Sequence, residues 1–185
     1  MKRYFAFVIL FALLFQPFPA MADESGLNQA SLKAMLEGLG YEPKEGAFND
    51  TKIPYFSIHI PGSPWNYDIT IYIDADKNIV SLNSEFGLYK GPAEDIPQSA
   101  LVGLLSENAS LTFAHFRYVA SNKSIFLLAN LRNKSVSAVD MRRAIDEIVS
   151  GANRTQNFWD PKQWPKSAAA EPSSAAPAAA GEDKK

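Results

Sequence analysis

Apolar residues recur at helical spacing at Leu32, Met35, Leu36 and Leu39, and Gly40 followed by Pro43 ends that run as a helix stop. The period then changes from about 3.6 to 2. Tyr55-Phe56-Ser57-Ile58-His59-Ile60 is rich in β-branched and aromatic residues. In Tyr67 to Ile73 the alternation is strict, with Tyr67, Ile69, Ile71 and Ile73 on one side and Asp68, Thr70 and Tyr72 on the other. Pro61-Gly62-Ser63-Pro64 separates these two strands, and Asp74 to Asn78 turns the chain into a third, Ile79 to Ser84. Connections this short allow only antiparallel pairing, so the three form a meander.

A second helix opens at Asp95-Ile96-Pro97, where proline suits the first turn; Leu101, Leu104 and Leu105 are its expected buried stripe and Asn108 its end. Two more strands follow, Ala114 to Val119 and Ser124 to Leu131, joined by Ser121-Asn122-Lys123. The run Ile125-Phe126-Leu127-Leu128-Ala129 is apolar on both faces, which predicts an interior position in the sheet. Ser137 with Asp140 has the form of a capping box, and Met141, Ala144, Ile145, Ile148 and Val149 make one apolar helix face. On its wet side Arg142 with Asp146 and Arg143 with Glu147 are spaced as i,i+4 pairs. The order α-β-β-β-α-β-β-α predicts an α+β fold, a two-layer sandwich in which helices cover one face of a five-stranded antiparallel sheet.

Both ends read differently from this body. Lys2 and Arg3 precede an uncharged apolar run from Tyr4 to Phe15; Pro17 and Pro19 follow, and Ala20-Met21-Ala22 offers small residues to a signal peptidase. The run is short of the ~20 residues a spanning helix needs. Residues 1–22 are therefore expected to be a signal peptide cleaved after Ala22, which places residues 23–160 as a folded domain in the periplasm. Residues 161–185 are expected to be a disordered tail, Ala/Pro-rich from Ser167 onward.

Composition narrows the chemistry. The 185 residues carry 18 basic and 20 acidic groups, a formal charge of −2, which excludes a broad basic surface for nucleic acid. With no cysteine there is no disulfide framework, thiol nucleophile or thiolate-held metal. His59 and His115 lie within strand-like runs, where a structural imidazole is the simpler reading. Neither a Gly-x-Ser-x-Gly elbow nor a glycine-rich phosphate loop occurs. Asp74, Asp76, Asn78 and Glu85 have the spacing of calcium-loop oxygens, but Ile79 stands where that loop turns on glycine. Hairpin-turn chemistry accounts for the same residues. Catalytic residues, metal ligands and cofactors are therefore expected to be none. The Asn-x-Ser/Thr triplets at Asn49, Asn108, Asn122, Asn133 and Asn153 are read as turn and cap residues.

Several phrases of this body resemble the YbjN family, whose fold is shared with the class I chaperones of type III secretion. They are Met35-Leu36-Glu37-Gly38-Leu39-Gly40-Tyr41-Glu42, Tyr67 to Leu82, Leu104-Leu105-Ser106-Glu107-Asn108, and Leu131 to Ile148. The resemblance implies a non-enzymatic protein that binds a protein or peptide partner, with a homodimer possible in that fold. An export signal and an Ala/Pro tail set this chain apart from the cytoplasmic secretion chaperones.

The expected function is capture of a polypeptide segment on an exposed sheet edge or in a helix–sheet groove. Aromatic residues supply contact area at low entropic cost, so Trp65, Tyr89, Phe158, Trp159 and Trp164 are the candidate contacts. For Phe158, Trp159 and Trp164 two readings are open. They fold back and cap the core, or they form a docking segment by which the chain serves as an accessory subunit of an envelope complex. An enzyme with a site scattered through the sequence is the remaining alternative.

Overall fold

Asn28 starts the first helix, α1 (Gln29–Gly38), by accepting the Ser31 N–H while Ser31 answers through its hydroxyl, a reciprocal cap. The helix ends as expected. Gly40 takes a left-handed conformation (φ 86°), its N–H donating to Glu37 O and that of Tyr41 to Leu36 O. The computed structural model describes residues 26–164 apart from 64, 77, 85–88 and 90; the signal peptide and the Ala/Pro tail lie outside the described residues.

The sheet has six strands rather than five. They are β1 (Lys44–Ala47), β2 (Pro54–Ile60), β3 (Tyr67–Asp74), β4 (Ile79–Ser84), β5 (Ala114–Val119) and β6 (Ser124–Arg132), in the spatial order β1-β2-β3-β4-β6-β5 with every pair antiparallel. The strand the sequence hid is β1. Lys-Glu-Gly-Ala has neither β-branched residues nor an apolar alternation, and it is a strand because β2 offers it a ladder. β6 lies between β4 and β5, the interior place its apolar run predicted. In the hairpin between β3 and β4, Asn78 adopts φ 52° and donates to Ala75 O, which is turn chemistry. Glu85, the remaining oxygen of the calcium-like spacing, lies outside the described residues.

One face of the sheet is buried by helices. Phe56, Ile58, Ile69, Ile71, Val80, Leu82, Phe116, Ile125, Leu127 and Leu131 form a single core with Leu32 and Leu36 of α1 and the apolar face of α3 (Ala138–Arg154). Ser137 and Asp140 cap α3 as expected. Hydrogen bonds from the Ser137 hydroxyl and backbone hold the Asp140 carboxyl below its ordinary value. α2 (Gln98–Asn108) departs from its expected stripe. Ala100 and Leu104 are buried, while Leu101, Val102 and Leu105 are 37%, 53% and 69% exposed. Gly103 explains the rotation: the Phe158 ring from α4 (Gln156–Trp159) lies where a Cβ would be, so the helix presents its glycine side inward.

Neither expected i,i+4 ion pair on α3 forms among the described residues. The Arg142 guanidinium donates to Leu39 O at the carboxyl end of α1 and lies 5.0 Å from the centre of the Tyr41 ring. Glu147 turns to backbone N–H groups instead. Three of the asparagines assigned to turns and caps join distant parts of the fold. Asn133 exchanges two hydrogen bonds with the Leu27 backbone (2.8 and 3.1 Å), Asn153 accepts from the Tyr67 hydroxyl, and Asn108 meets the backbone of β5.

Candidate functional site

A sheet of this order has two edges, β5 and β1, and they are treated differently. On β5 side chains take the outward N–H of Ala114 and both outward groups of Phe116. The Asn108 amide donates to Phe116 O (3.1 Å) and accepts the Phe116 N–H (2.6 Å), as a neighbouring strand would. The Glu147 carboxylate, one turn-face away on α3, accepts from Thr112 and Phe113 (2.6 Å each) and from Ala114 (2.8 Å). A carboxylate shared by three N–H groups makes strong, charge-assisted bonds, and no strand can add here without displacing it. α2 packs alongside.

Among the described residues the other edge has no such cover. Phe48 N–H donates to Ile53 O at 3.0 Å, which fixes the phase of the β1–β2 ladder. By the alternation of antiparallel pairs, Lys44 and Gly46 bond β2, whereas Glu45 and Ala47 turn their N–H and C=O outward. Behind this edge a cleft of about 310 Å³ opens between α1 and the strands, lined by Ala30, Lys33, Glu45, Pro54 and Phe56 among others. Lys33 reaches from α1 to Glu45 (2.7 Å), and that hydrogen bond raises the ammonium above its ordinary pKa. On the opposite, helix-free face the Tyr55 ring lies across Gly46, so close that a Cβ there would stand 2.5 Å from the ring. Phe48 holds the ring from its other side, with centroids 4.9 Å from Tyr55 and 5.2 Å from Tyr72. The edge is short and carries Lys44 and Glu45, which limits indiscriminate pairing, and the outward backbone of Glu45 and Ala47 has no partner among the described residues.

The aromatic candidates lie elsewhere, and the structure separates them from this edge. Trp159 is fully buried and its indole N–H donates to Ala152 O at 2.9 Å, so it is a core residue with no surface to offer a partner. Phe158 is half-buried on Gly103. Trp164 donates to Phe158 O (3.0 Å) and packs on Tyr89 at 4.9 Å, while the Tyr89 hydroxyl donates to Pro92 O (2.9 Å). Trp65 meets Trp159 edge-on at 5.5 Å, and its buried indole nitrogen has no hydrogen-bond partner among the described residues. The segment thus folds back and caps the core, and the body continues through Trp164 rather than stopping at Asp160.

His59 has a carboxylate partner that only the fold supplies, Asp68 across the β2–β3 ladder at 2.8 Å, on the exposed face. Burial, then Arg117, lowers the His115 pKa. Among the described residues no cluster of His, Cys, Asp or Glu is arranged to hold a metal ion, and no helix is long and apolar enough to cross a membrane. Lys44-Glu45-Gly46-Ala47 has no strand-like alternation, so no local pattern in the sequence marks the β1 edge.

No protein-family model and no curated protein matches the chain. Solved structures do. The heterodimeric complex ExoU–SpcU from the type III secretion system of Pseudomonas aeruginosa matches at 13% identity, over 70% of this chain and 98% of that chain, with a TM-score of 0.48. The HopA1–SchA chaperone–effector complex matches at 13% identity, over 69% and 88%, with a TM-score of 0.45. YbjN from E. coli matches at 17% identity, over 70% and 94%, with a TM-score of 0.45. The likeness is one of fold. It is to YbjN and to chains of the ExoU–SpcU and HopA1–SchA complexes.

Proposed function

We propose that this protein is a non-catalytic binding module that takes an extended polypeptide segment as an added strand on β1. The observation that carries this reading is the asymmetry of the sheet: the outward backbone of Glu45 and Ala47 is open beside a cleft, while that of Ala114 and Phe116 is occupied. In strand addition the main-chain hydrogen bonds supply affinity and the flanking pockets supply selection among side chains. β1 spans four residues, ~13 Å, so the segment it takes is short.

Two further elements belong to the same proposal. The module works in the periplasm, a reading supported by the leader-like composition of residues 1–22 and tested by fractionating cells that make the full chain. It acts as a homodimer, a reading supported by the exposed Leu101, Val102 and Leu105 of α2 and tested by light scattering.

The decisive variant is Ala47→Pro. It removes an outward N–H without touching the β1–β2 ladder, and proline is tolerated on an edge strand in that position. Stability should fall by less than about 1 kcal/mol, while affinity for synthetic extended peptides should fall about tenfold or more. Peptide binding unchanged by Ala47→Pro would remove the β1 edge as the site.

A further inference from the structure

The two faces of β1 are chemically unequal, and this bears on what kind of strand the edge accepts. Residues directly opposite one another in a ladder point to the same face. A residue placed opposite Glu45 would therefore point to the helix side, into the cleft lined by Ala30, Pro54 and Phe56. Glu45 itself makes no unmet demand there, because Lys33 already holds its carboxylate at 2.7 Å. A residue opposite Lys44 would point to the helix-free side. Lys44 is exposed and has no ion-pair partner among the described residues, although it lines a shallow surface pocket, separate from the α1–β1 cleft, together with Glu42 and His59. A residue opposite Gly46 meets no side chain from β1, only the Tyr55 ring that lies over the glycine.

Resting on the strand-addition reading above, we infer that the partner segment pairs antiparallel to β1 and carries an apolar residue followed immediately by an acidic one. The apolar side chain enters the α1–β1 cleft opposite Glu45, and the carboxylate meets Lys44. The volume of the cleft, about 310 Å³, accommodates one leucine-sized side chain and leaves no room for a second helix. Antiparallel pairing continues the arrangement of every other pair in the sheet and is slightly stronger per residue than parallel pairing. Lys44, which makes no ion pair among the described residues, supplies the sign: a carboxylate facing it is attracted, and an ammonium there is repelled.

The test uses the chain from Asp23 onward and two synthetic hexapeptides, Thr-Thr-Leu-Asp-Thr-Thr and the same peptide with lysine for aspartate, followed by chemical-shift titration. The acidic peptide should bind about threefold or more tightly than the basic one. Lys44→Glu should reverse that order, and replacing leucine by serine should weaken both peptides in either protein. Loss of both peptides in Ala47→Pro together with equal affinity of the two in the unchanged protein would overturn the charge inference while leaving the edge reading standing. Binding of both peptides that survives Ala47→Pro would overturn the edge reading and the inference with it. A preference for the acidic peptide that persists in Lys44→Glu would place the cation elsewhere and overturn the assignment to Lys44. Lys44 is exposed and Ala47 lies on the outermost strand, so neither variant touches the core.

Discussion

The β5 and β1 edges solve the same problem in opposite ways. Each ends a sheet and so presents a row of N–H and C=O groups to water. At β5 the first part of the row is met by side chains: Asn108 from the end of α2 serves Phe116, and Glu147 from the middle of α3 serves Ala114. At β1 Glu45 is tied to a lysine of α1 rather than to backbone, and among the described residues no side chain bonds the outward backbone of Glu45 or Ala47. One edge is guarded by a carboxylate and an amide, while the opposite one, among the described residues, is open over a cleft. Under the proposed strand addition, the site is set by which edge is uncovered and not by an aromatic patch. Trp159 and Trp164, the conspicuous residues of the sequence, serve the core: Trp159 bonds Ala152 O, and Trp164 bonds Phe158 O and packs on Tyr89.

The contrast breaks most severely at Glu147. Glu147→Ala strands three N–H groups at the start of β5 and should cost about 2 kcal/mol, read as a lower urea midpoint with an unchanged slope. Asn108→Ala should cost less, about 1 kcal/mol, and leaves Phe116 open to pairing. Its sharper readout is concentration-dependent association beyond the dimer in light scattering, greater than that of the unchanged chain at the same concentration, because more of the β5 edge has been uncovered. If Asn108→Ala leaves both stability and association unchanged, the amide is not what closes the β5 edge.

The smallest effect concerns the bridge across the β1 cleft. Hydrogen bonding to Glu45 raises the folded pKa of Lys33 above its unfolded value of 10.5. Its contribution to stability is therefore complete below pH 10.5 and is lost as pH rises through the higher folded value. Denaturation midpoints of the unchanged protein should show that alkaline decline, and Glu45→Gln should flatten it. Both side chains are largely exposed, so the decline is slight.

Much of the fold could be read without coordinates. The helical stripe of α3 and its capping box, the glycine stop of α1, the β2–β3–β4 meander and the interior place of β6 each follow from a local pattern that the structure repeats. Two elements misled. β1 carries no apolar alternation, since an edge strand over a cleft buries little on either face. The α2 stripe was displaced because the ring that sets its rotation, Phe158, is more than fifty residues further along the chain.

The residues of the candidate site were the least legible. Lys44, Glu45 and Ala47 are ordinary surface residues by type, and Asn108 and Glu147 carry no mark of guarding a strand. The sequence by itself determined where helices and strands form, because periodicity, caps and turn residues act over a few positions. The tertiary structure decided which strands became edges, which edge was covered and where a cleft remained. Those outcomes depend on contacts between residues such as Asn108 with Phe116 and Glu147 with Ala114, and only folding brings such groups within hydrogen-bond distance.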